Sequence, residues 1–470
     1  MVKTNQVCIE KIGGTSMLLF GKIVDSIILH DEQNVYNRIF VVSAYGGITN
    51  DLLEHKKSDN TGIYKIFERQ GNYQQALQKL KQKLFKINKG FVEVGLDLTI
   101  ANEFISTRID KAIAVLESIE AVLASGYVNR TELLLSTREL LASLGEMHSA
   151  FNSANILQYR GYQSNFIDLS GWGDSSQYTI DERIKHAFET VNPSAEICFV
   201  TGYTKGTEGI MREFDRGYSE VTFSKIAVAL KAKEAVIHKE FHLCSGDPEL
   251  LGIDAVKPMC NTNFDVADQL ADVDMEAIHP KASKVLETAG IPIRVKNAFE
   301  PRHQGTLITK DYICPESRIE IITGSKKTTS ISIYDTRMVG KIGFDLEIMK
   351  VFVKNQVSFI CKMTNANTIE IIIKDKNYSK ALVKDLKAQF ETVTVAPVAI
   401  VCAIGSNIAK PGILAMATNA LASKGINILA VSQTSRQTNM QFIVFRDAFI
   451  EAQKYLHQAL CEQKKDSEAN

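Results

Sequence analysis

The chain has 470 residues, and its 54 Lys+Arg balance its 54 Asp+Glu. That length holds roughly two to four domains, and the absence of net charge argues against a broad nucleic-acid footprint. No uninterrupted apolar run reaches membrane-spanning length, and the polar first residues do not read as a signal peptide, so neither nucleic acid nor membrane is an expected partner. The eight cysteines form no C-x-x-C pair, which points away from a zinc site or a disulfide framework and toward a reducing, cytoplasmic setting.

In chain order, the apolar run Val7-Cys8-Ile9 leads into Lys11-Ile12-Gly13-Gly14-Thr15-Ser16. Glycines directly after a buried strand let backbone N–H groups approach phosphate oxygens, and a lysine neutralises their charge. Alone, the glycine pair reads more simply as a turn. Arg38 to Ser43 is a second compact apolar run, ending in Ala44-Tyr45-Gly46-Gly47 and leading to Thr49-Asn50. The stretch 63–126 is mostly helical by pattern and shows no chemistry. Ser143-Leu144-Gly145-Glu146 lies in a helical pattern whose apolar positions are Leu140, Leu144, Met147 and Phe151. Ile197 to Gly202 repeats the strand-to-glycine form. Asp215-Arg216-Gly217-Tyr218-Ser219-Glu220 then precedes a helix with Phe223, Ile226, Ala227 and Leu230 on one face. Gly246-Asp247-Pro248 and a shorter strand, Ile291 to Val295, follow. Apolar strands ending at glycine turns indicate a mostly parallel sheet covered by helices on both faces, with ligands beyond the strands' carboxyl ends. Singly, each polar segment has a plainer reading. Glu146 could be a solvated helix glutamate, Ser219 an N-cap, Arg216 a surface arginine and Asp247-Pro248 a turn.

Past Tyr312 the pattern changes. Residues 328–395 read strand, helix, strand, strand, helix, strand, with strands at Thr329–Ile333, Val357–Ile360, Ile369–Ile373 and Thr392–Val395. Phe344, Ile348 and Phe352 share one helix face. Residues 398–461 repeat this order: Lys341-Ile342-Gly343 matches Lys410-Pro411-Gly412 at an offset of 69 (412 − 343), and Val357-Ser358-Phe359 matches Ile426-Asn427-Ile428 at the same offset. A tandem βαββαβ module is therefore expected.

Taken together in order, KIGGTS, VSAYGGITN, SLGE, DRGYSE and the tandem module resemble the aspartokinase family along the whole chain. Its members carry K-F-G-G-T-S, V-S-A-x-x-G-x-T-N, S-x-G-E and G-R-G-G-S-D segments before two ACT modules. RIFVVSAYGGITN and FHLCSGDP further resemble the branch associated with ectoine synthesis. The resemblance implies a three-layer α/β amino acid kinase fold with a mostly parallel central sheet, followed by two α+β ACT modules. It implies a catalytic domain at 1–311, a linker at 312–327, ACT modules at 328–396 and 397–463, and a disordered tail at 464–470; the alternative, on the pattern of relatives, is that a strand near 319–323 joins the second module and makes it discontinuous. It implies transfer of the ATP γ-phosphoryl group to the β-carboxylate of L-aspartate, with Mg²⁺, an amino-acid effector at the ACT modules and a homodimer formed through them.

By the same resemblance Lys11, Gly13 and Gly14 hold the transferring phosphate. Thr15, Ser16, Ser43, Lys239, Glu240 and Asp247 face the nucleotide. Arg216 clamps a substrate carboxylate, Glu146 pairs with the α-ammonium, and Thr49, Tyr203, Gly217, Ser219 and Glu220 complete the substrate side. No metal-ligand set is expected within the protein. The chain departs from the family pattern at Lys239-Glu240 (Thr-Asp in relatives), at Glu249 (Arg), at Glu276 (Lys), and at Tyr218 and Glu220 (Gly and Asp). Lys239, Lys281 or Lys284 is the expected replacement for the missing cation, and Lys11 is left as the principal inherited one. The alternative is a degenerate paralogue acting as a regulatory or scaffold subunit. Ile360 stands where lysine-sensing relatives place an aspartate, so weak lysine inhibition is expected.

Overall fold

The computed structural model describes residues 7–31, 34–54, 61–214, 217–273, 275 and 277–462. Asp215, Arg216, Glu276 and the tail at 464–470 lie outside them. The chain divides into two compact units. One comprises Met1–His242 with Ile278–Thr309, the other Leu243–Ala277 with Lys310–Asn470.

In the first unit the central sheet is built from β1 (Cys8–Ile12), β2 (Arg38–Val42), β3 (Ser164–Ile167), β4 (Ile197–Thr201) and β5 (Glu234–Lys239). The strands run in the order β3-β4-β2-β1-β5 and all pair in parallel. β4 is buried along its whole length and β2 in all but its first residue, as expected of strands covered on both faces. The apolar runs seen in the sequence are these strands. Charge helps to fix the middle of the sheet. Glu10 on β1 is bonded by Arg38 of β2 and lies 2.7 Å from His238 Nε2 of β5. Burial resists its ionisation, but Arg38 and His238 outweigh that and hold its carboxyl well below the usual range. The 63–126 stretch is helical, as expected, with helices at Ile63–Glu68, Tyr73–Gly90 and Leu98–Ala124.

The excursion 243–277 carries a short strand, β6 (Asn261–Asn263), and the helix Phe264–Asp272. It belongs to the second unit and not, as the boundary at 311 had it, to the first. The cause is apolar: Leu243, Met259, Val266, Leu270 and Val273 share one buried cluster with Ile321, Ile400, Cys402 and Ile443. The chain then returns to the first unit as β7 (Ile293–Asn297), parallel to β5, and β8 (Thr306–Thr309), antiparallel to β7.

The second unit holds an antiparallel sheet of β9 (Ile321–Tyr334), β10 (Cys361–Thr364), β11 (Thr368–Lys374), β12 (Thr392–Ile404), β13 (Ile428–Gln433) and β14 (Asn439–Phe445), ordered β10-β11-β9-β12-β14-β13. The two modules are halves of this sheet. β9 and β12, of 14 and 13 residues, pair along both halves. The linker at 312–327 therefore runs into β9, and the module boundary at 396/397 falls inside β12. Along β12, side chains alternate: Ala399, Val401 and Ala403 face one cluster and Val398, Ile400, Cys402 and Ile404 another, the period of two that a strand imposes.

The repeat is visible in backbone detail. Gly343 and Gly412 cap the helices Phe344–Lys354 and Ile413–Ala422 with φ of 81° and 96°. At the far ends Gln356 and Gly425 take φ of 55° and 69°, and Val357 and Ile426 donate back to Phe352 and Leu421. These C-terminal caps use up the residues expected to be strand. Val357–Ile360 is consequently not a strand; pairing starts at Cys361, and in the second module at Ile428.

Where β9 meets β12, a Cβ on Gly324 would lie 2.1 Å from the Ile400 carbonyl oxygen. Gly324→Ala should lower the thermal unfolding midpoint by about 5 °C. Gly90→Ala, where an added methyl meets nothing, should leave it unchanged.

Candidate functional site

The motifs of the first unit converge at the carboxyl ends of β1, β2 and β4. On β1, Lys11 places Nζ 3.1 Å from Glu220 Oε1, and both side chains are almost buried. The other oxygen of Glu220 accepts the backbone N–H of His279, which caps the helix Pro280–Ala289. Burial alone would raise the Glu220 carboxyl. The charges of Lys11 and Lys239 outweigh it and hold the group below its usual range. Glu220, expected beside the substrate, is thus the partner of Lys11. Gly14 must be glycine, because a Cβ there would lie 2.5 Å from the Ala44 carbonyl oxygen. Gly13 meets nothing within 4 Å, which leaves its backbone open to a ligand. Thr15 is exposed beside it, and Ser16 donates to Glu240 Oε1 over 3.2 Å.

On the other side, Ser43 directly follows β2, with its hydroxyl 3.2 Å from that of Ser219. Gly202 allows this closeness: a Cβ there would lie 2.7 Å from Ser219 Cβ and 2.8 Å from the Val42 carbonyl oxygen. Glu146 projects from the helix Arg130–Tyr159 and is 2% exposed. Burial pushes its carboxyl up to about 8, against the pull of the Tyr218 hydroxyl, the Ala44 backbone and the Lys11 charge. Tyr218 donates to Glu146 Oε2 over 3.2 Å and is hydrogen-bonded to the Thr49 side chain. Tyr203 donates to Glu139 over 2.8 Å, and its ring stands at 76° to that of Tyr218 with centroids 6.0 Å apart. Gly217 packs under His279, whose Cδ2 would lie 2.4 Å from an added Cβ.

The structure thus brings together Lys11, Gly13, Gly14, Ser16, Ser43, Thr49, Glu146, Tyr203, Gly217, Ser219, Glu220 and Glu240, with Lys239 acting electrostatically on Glu220. Asp247 lies in the second unit and caps the short helix Pro248–Leu251 by accepting from the Glu249 N–H, away from the nucleotide side where the family pattern put it. Lys281 donates to the Glu213 carbonyl, and Lys284 pairs with Glu287 on an exposed surface; of these three lysines, Lys239 is the one whose charge acts on Glu220. Three contributors went unforeseen. Tyr218 was signalled only by replacing the glycine of the family pattern. Glu139 could have been found seven residues before Glu146, on the same helix face. His279 stands directly before Pro280, a helix-start signal that was not connected with the site. A cavity of about 570 Å³ opens beside Tyr203, lined by Glu139, Ser143, Trp172, Lys205 and Arg212, and none of the phosphate-side residues reaches it.

A sequence model described as the amino acid kinase family matches residues 6–297, and one described as the ACT domain matches residues 401–460. The chain therefore belongs to the amino acid kinase family. Within that family its relatives are aspartate kinases. It is 43% identical to aspartate kinase Ask_Ect of Stutzerimonas stutzeri over 97% of both chains, and 27% identical to the chloroplastic aspartokinase 1 of Arabidopsis thaliana over 93% of this chain and 77% of that one. The first of these is the ectoine-associated branch to which RIFVVSAYGGITN and FHLCSGDP pointed. In fold, it superposes on aspartate kinase of Clostridium acetobutylicum with a TM-score of 0.74 at 21% identity, covering 96% of this chain and all of the other. It superposes on Escherichia coli aspartokinase III, solved with aspartate and ADP, with a TM-score of 0.72 at 20% identity, covering 97% of this chain and 100% of that one.

The Lys11–Glu220 pair gives a direct test of the local electrostatics. Glu220→Gln leaves a nearly buried lysine without its counter-charge and should cost about 3 kcal/mol of stability at neutral pH, read by denaturant unfolding.

Proposed function

We propose that the chain transfers the γ-phosphoryl group of ATP to the β-carboxylate of L-aspartate. The observation that carries this reading is the meeting, in one buried cluster, of a lysine beside an open glycine turn with Glu146, Thr49, Tyr203 and Ser219. The acceptor carboxylate is already ionised at neutral pH, so no general base is needed. One carboxylate oxygen attacks the γ-phosphorus, the bond from that phosphorus to the β,γ-bridging oxygen breaks, and ADP leaves with the electron pair. The obstacle is repulsion between anions, and the work of the site is placement and neutralisation. Lys11 and the Gly13-Gly14 backbone hold the phosphate, Ser16, Ser43, Lys239 and Glu240 frame the nucleotide side, and Glu146 takes the substrate ammonium. Arg216 is proposed as the clamp on a substrate carboxylate.

Magnesium fits as an ion carried by the nucleotide. Among the described residues no group of three or more His, Cys, Asp or Glu could hold a metal, and magnesium commonly uses one or two carboxylates with substrate phosphates and water. Bound there, it would supply further positive charge on the phosphates; Glu220 and Glu240 are the nearby carboxylates that could face it. The second unit is proposed as the regulatory part and as the site of homodimer formation, through the edge strands β10 and β13. The ectoine-associated relationship suggests that the acyl phosphate feeds that pathway.

Acyl phosphate trapped with hydroxylamine should appear only when both aspartate and ATP are present. Lys11→Ala should lower kcat about a hundredfold or more, whereas Lys281→Ala and Lys284→Ala should stay near wild type. A folded protein with no turnover would favour the regulatory-paralogue alternative.

Escherichia coli aspartokinase III has also been solved with lysine and aspartate. Here Ile360 donates its N–H to the Ile372 carbonyl and packs against the apolar cluster of the second unit, offering lysine no counter-charge. Lysine at millimolar concentration should leave most activity intact in the same assay, and micromolar inhibition would contradict this.

A further inference from the structure

Tyr218 begins the helix Tyr218–Ala229 and is 2% exposed. Its hydroxyl meets two residues of the substrate side at once: it lies 3.2 Å from Glu146 Oε2, and it is hydrogen-bonded to Thr49. When Glu146 is ionised it can only accept, so Tyr218 donates to it and takes its second bond from the Thr49 hydroxyl. The ring is braced against Tyr203, which is itself held by Glu139. A ring alone would fill this space. A buried hydroxyl whose partners are both substrate-side groups does more than fill it.

We propose that Tyr218 is a positioning residue for the substrate ammonium: its hydroxyl, fixed by Thr49, holds the Glu146 carboxylate in place to receive that ammonium. The proposal rests on Glu146 being the ammonium partner in an aspartate kinase. It assigns Tyr218 a role through Glu146, with no contact to the reacting atoms.

A pH signature follows. The groups facing Glu146 are Tyr218 from its helix, Lys11 from β1, the Ala44 backbone after β2 and Tyr203 after β4. Burial prevails over them and pushes Glu146 up to about 8. In the free protein at neutral pH the carboxyl is therefore mostly protonated, and an arriving ammonium must displace that proton. Apparent kcat/KM for aspartate should rise with pH and level off above about 8. Removing the Tyr218 hydroxyl takes a donor from the charged form and should move the midpoint higher still.

The test uses the full chain, with reactions run across pH and acyl phosphate trapped with hydroxylamine at one fixed pH. Tyr218→Phe should raise KM for aspartate about tenfold and shift the kcat/KM midpoint up by about one pH unit. Its kcat and its KM for ATP should stay close to wild type. In a Glu146→Gln background the same substitution should add no further loss, because the partner it acts through is gone. Wild-type KM for aspartate together with an unmoved midpoint in Tyr218→Phe would overturn the proposal, as would fully additive losses in the double variant. If Tyr218→Phe does not fold, Tyr218→Met, which also lacks the hydroxyl and keeps apolar bulk, takes its place with the same expected outcomes. A wild-type protein without aspartate turnover would instead overturn the kinase reading, and this inference with it.

Discussion

Lys11 leaves β1 with its ammonium almost out of reach of water, a position a lysine holds only with a carboxylate beside it. Glu220 supplies that carboxylate from the start of the helix Tyr218–Ala229 and uses its second oxygen to bind the N–H that begins the helix Pro280–Ala289. One side chain thus joins a strand and two helices at the point where the Gly13-Gly14 turn begins. Because Glu220 is ionised by its partners and not by solvent, the pair stays intact through the neutral range.

The sequence made the catalytic end legible where chemistry is local. KIGGTS, VSAYGGITN and SLGE each sit at a strand end or on a helix, and the structure puts them where their periodicity implied. It was less informative where a residue's role depends on what lies opposite. Glu220 looks like a substrate residue in DRGYSE and turns out to face Lys11, across 209 positions of chain. Tyr218 looks like an intrusion on a glycine pattern and proves to be bonded to Glu146 and Thr49. Asp247-Pro248 has the composition of a turn and starts a short helix, Asp247 as its cap and Pro248 as its first residue. Arg216 lies outside the described residues, and its role stands on the family pattern.

In the second unit the offset between the modules was readable because it is written in caps and helix faces, which are short-range. The strand positions were displaced because hydrophobic runs do not distinguish a helix's closing turn from the strand after it. Val357 and Ile426 are apolar in either role, and only the back-bonds to Phe352 and Leu421 decide. The module boundary near Pro397 was readable only in part: the start of β9, at Ile321–Ser325, pairs with the second half of β12, as the family pattern for 319–323 allowed. β12 passes from one half of the sheet into the other as a single strand, with a register shift between Val398 and Ile400 just beyond Pro397, so no linker separates the halves.

The excursion 243–277 means that the chain crosses from one compact unit to the other three times: after His242, after Ala277 and after Thr309. The units are threaded, not strung. A single proteolytic cut just beyond Thr309 would not release the second unit, since a loop of the first part remains built into it. A fragment ending there would carry Leu243, Met259, Val266, Leu270 and Val273 stripped of the partners that bury them. The threaded path also means that the stretch carrying Lys239 and Glu240 leads directly into the excursion, and that His279 follows directly on its return. The two compact units of this chain are therefore not modules that recombination could trade by a single crossover; they would have to be inherited together.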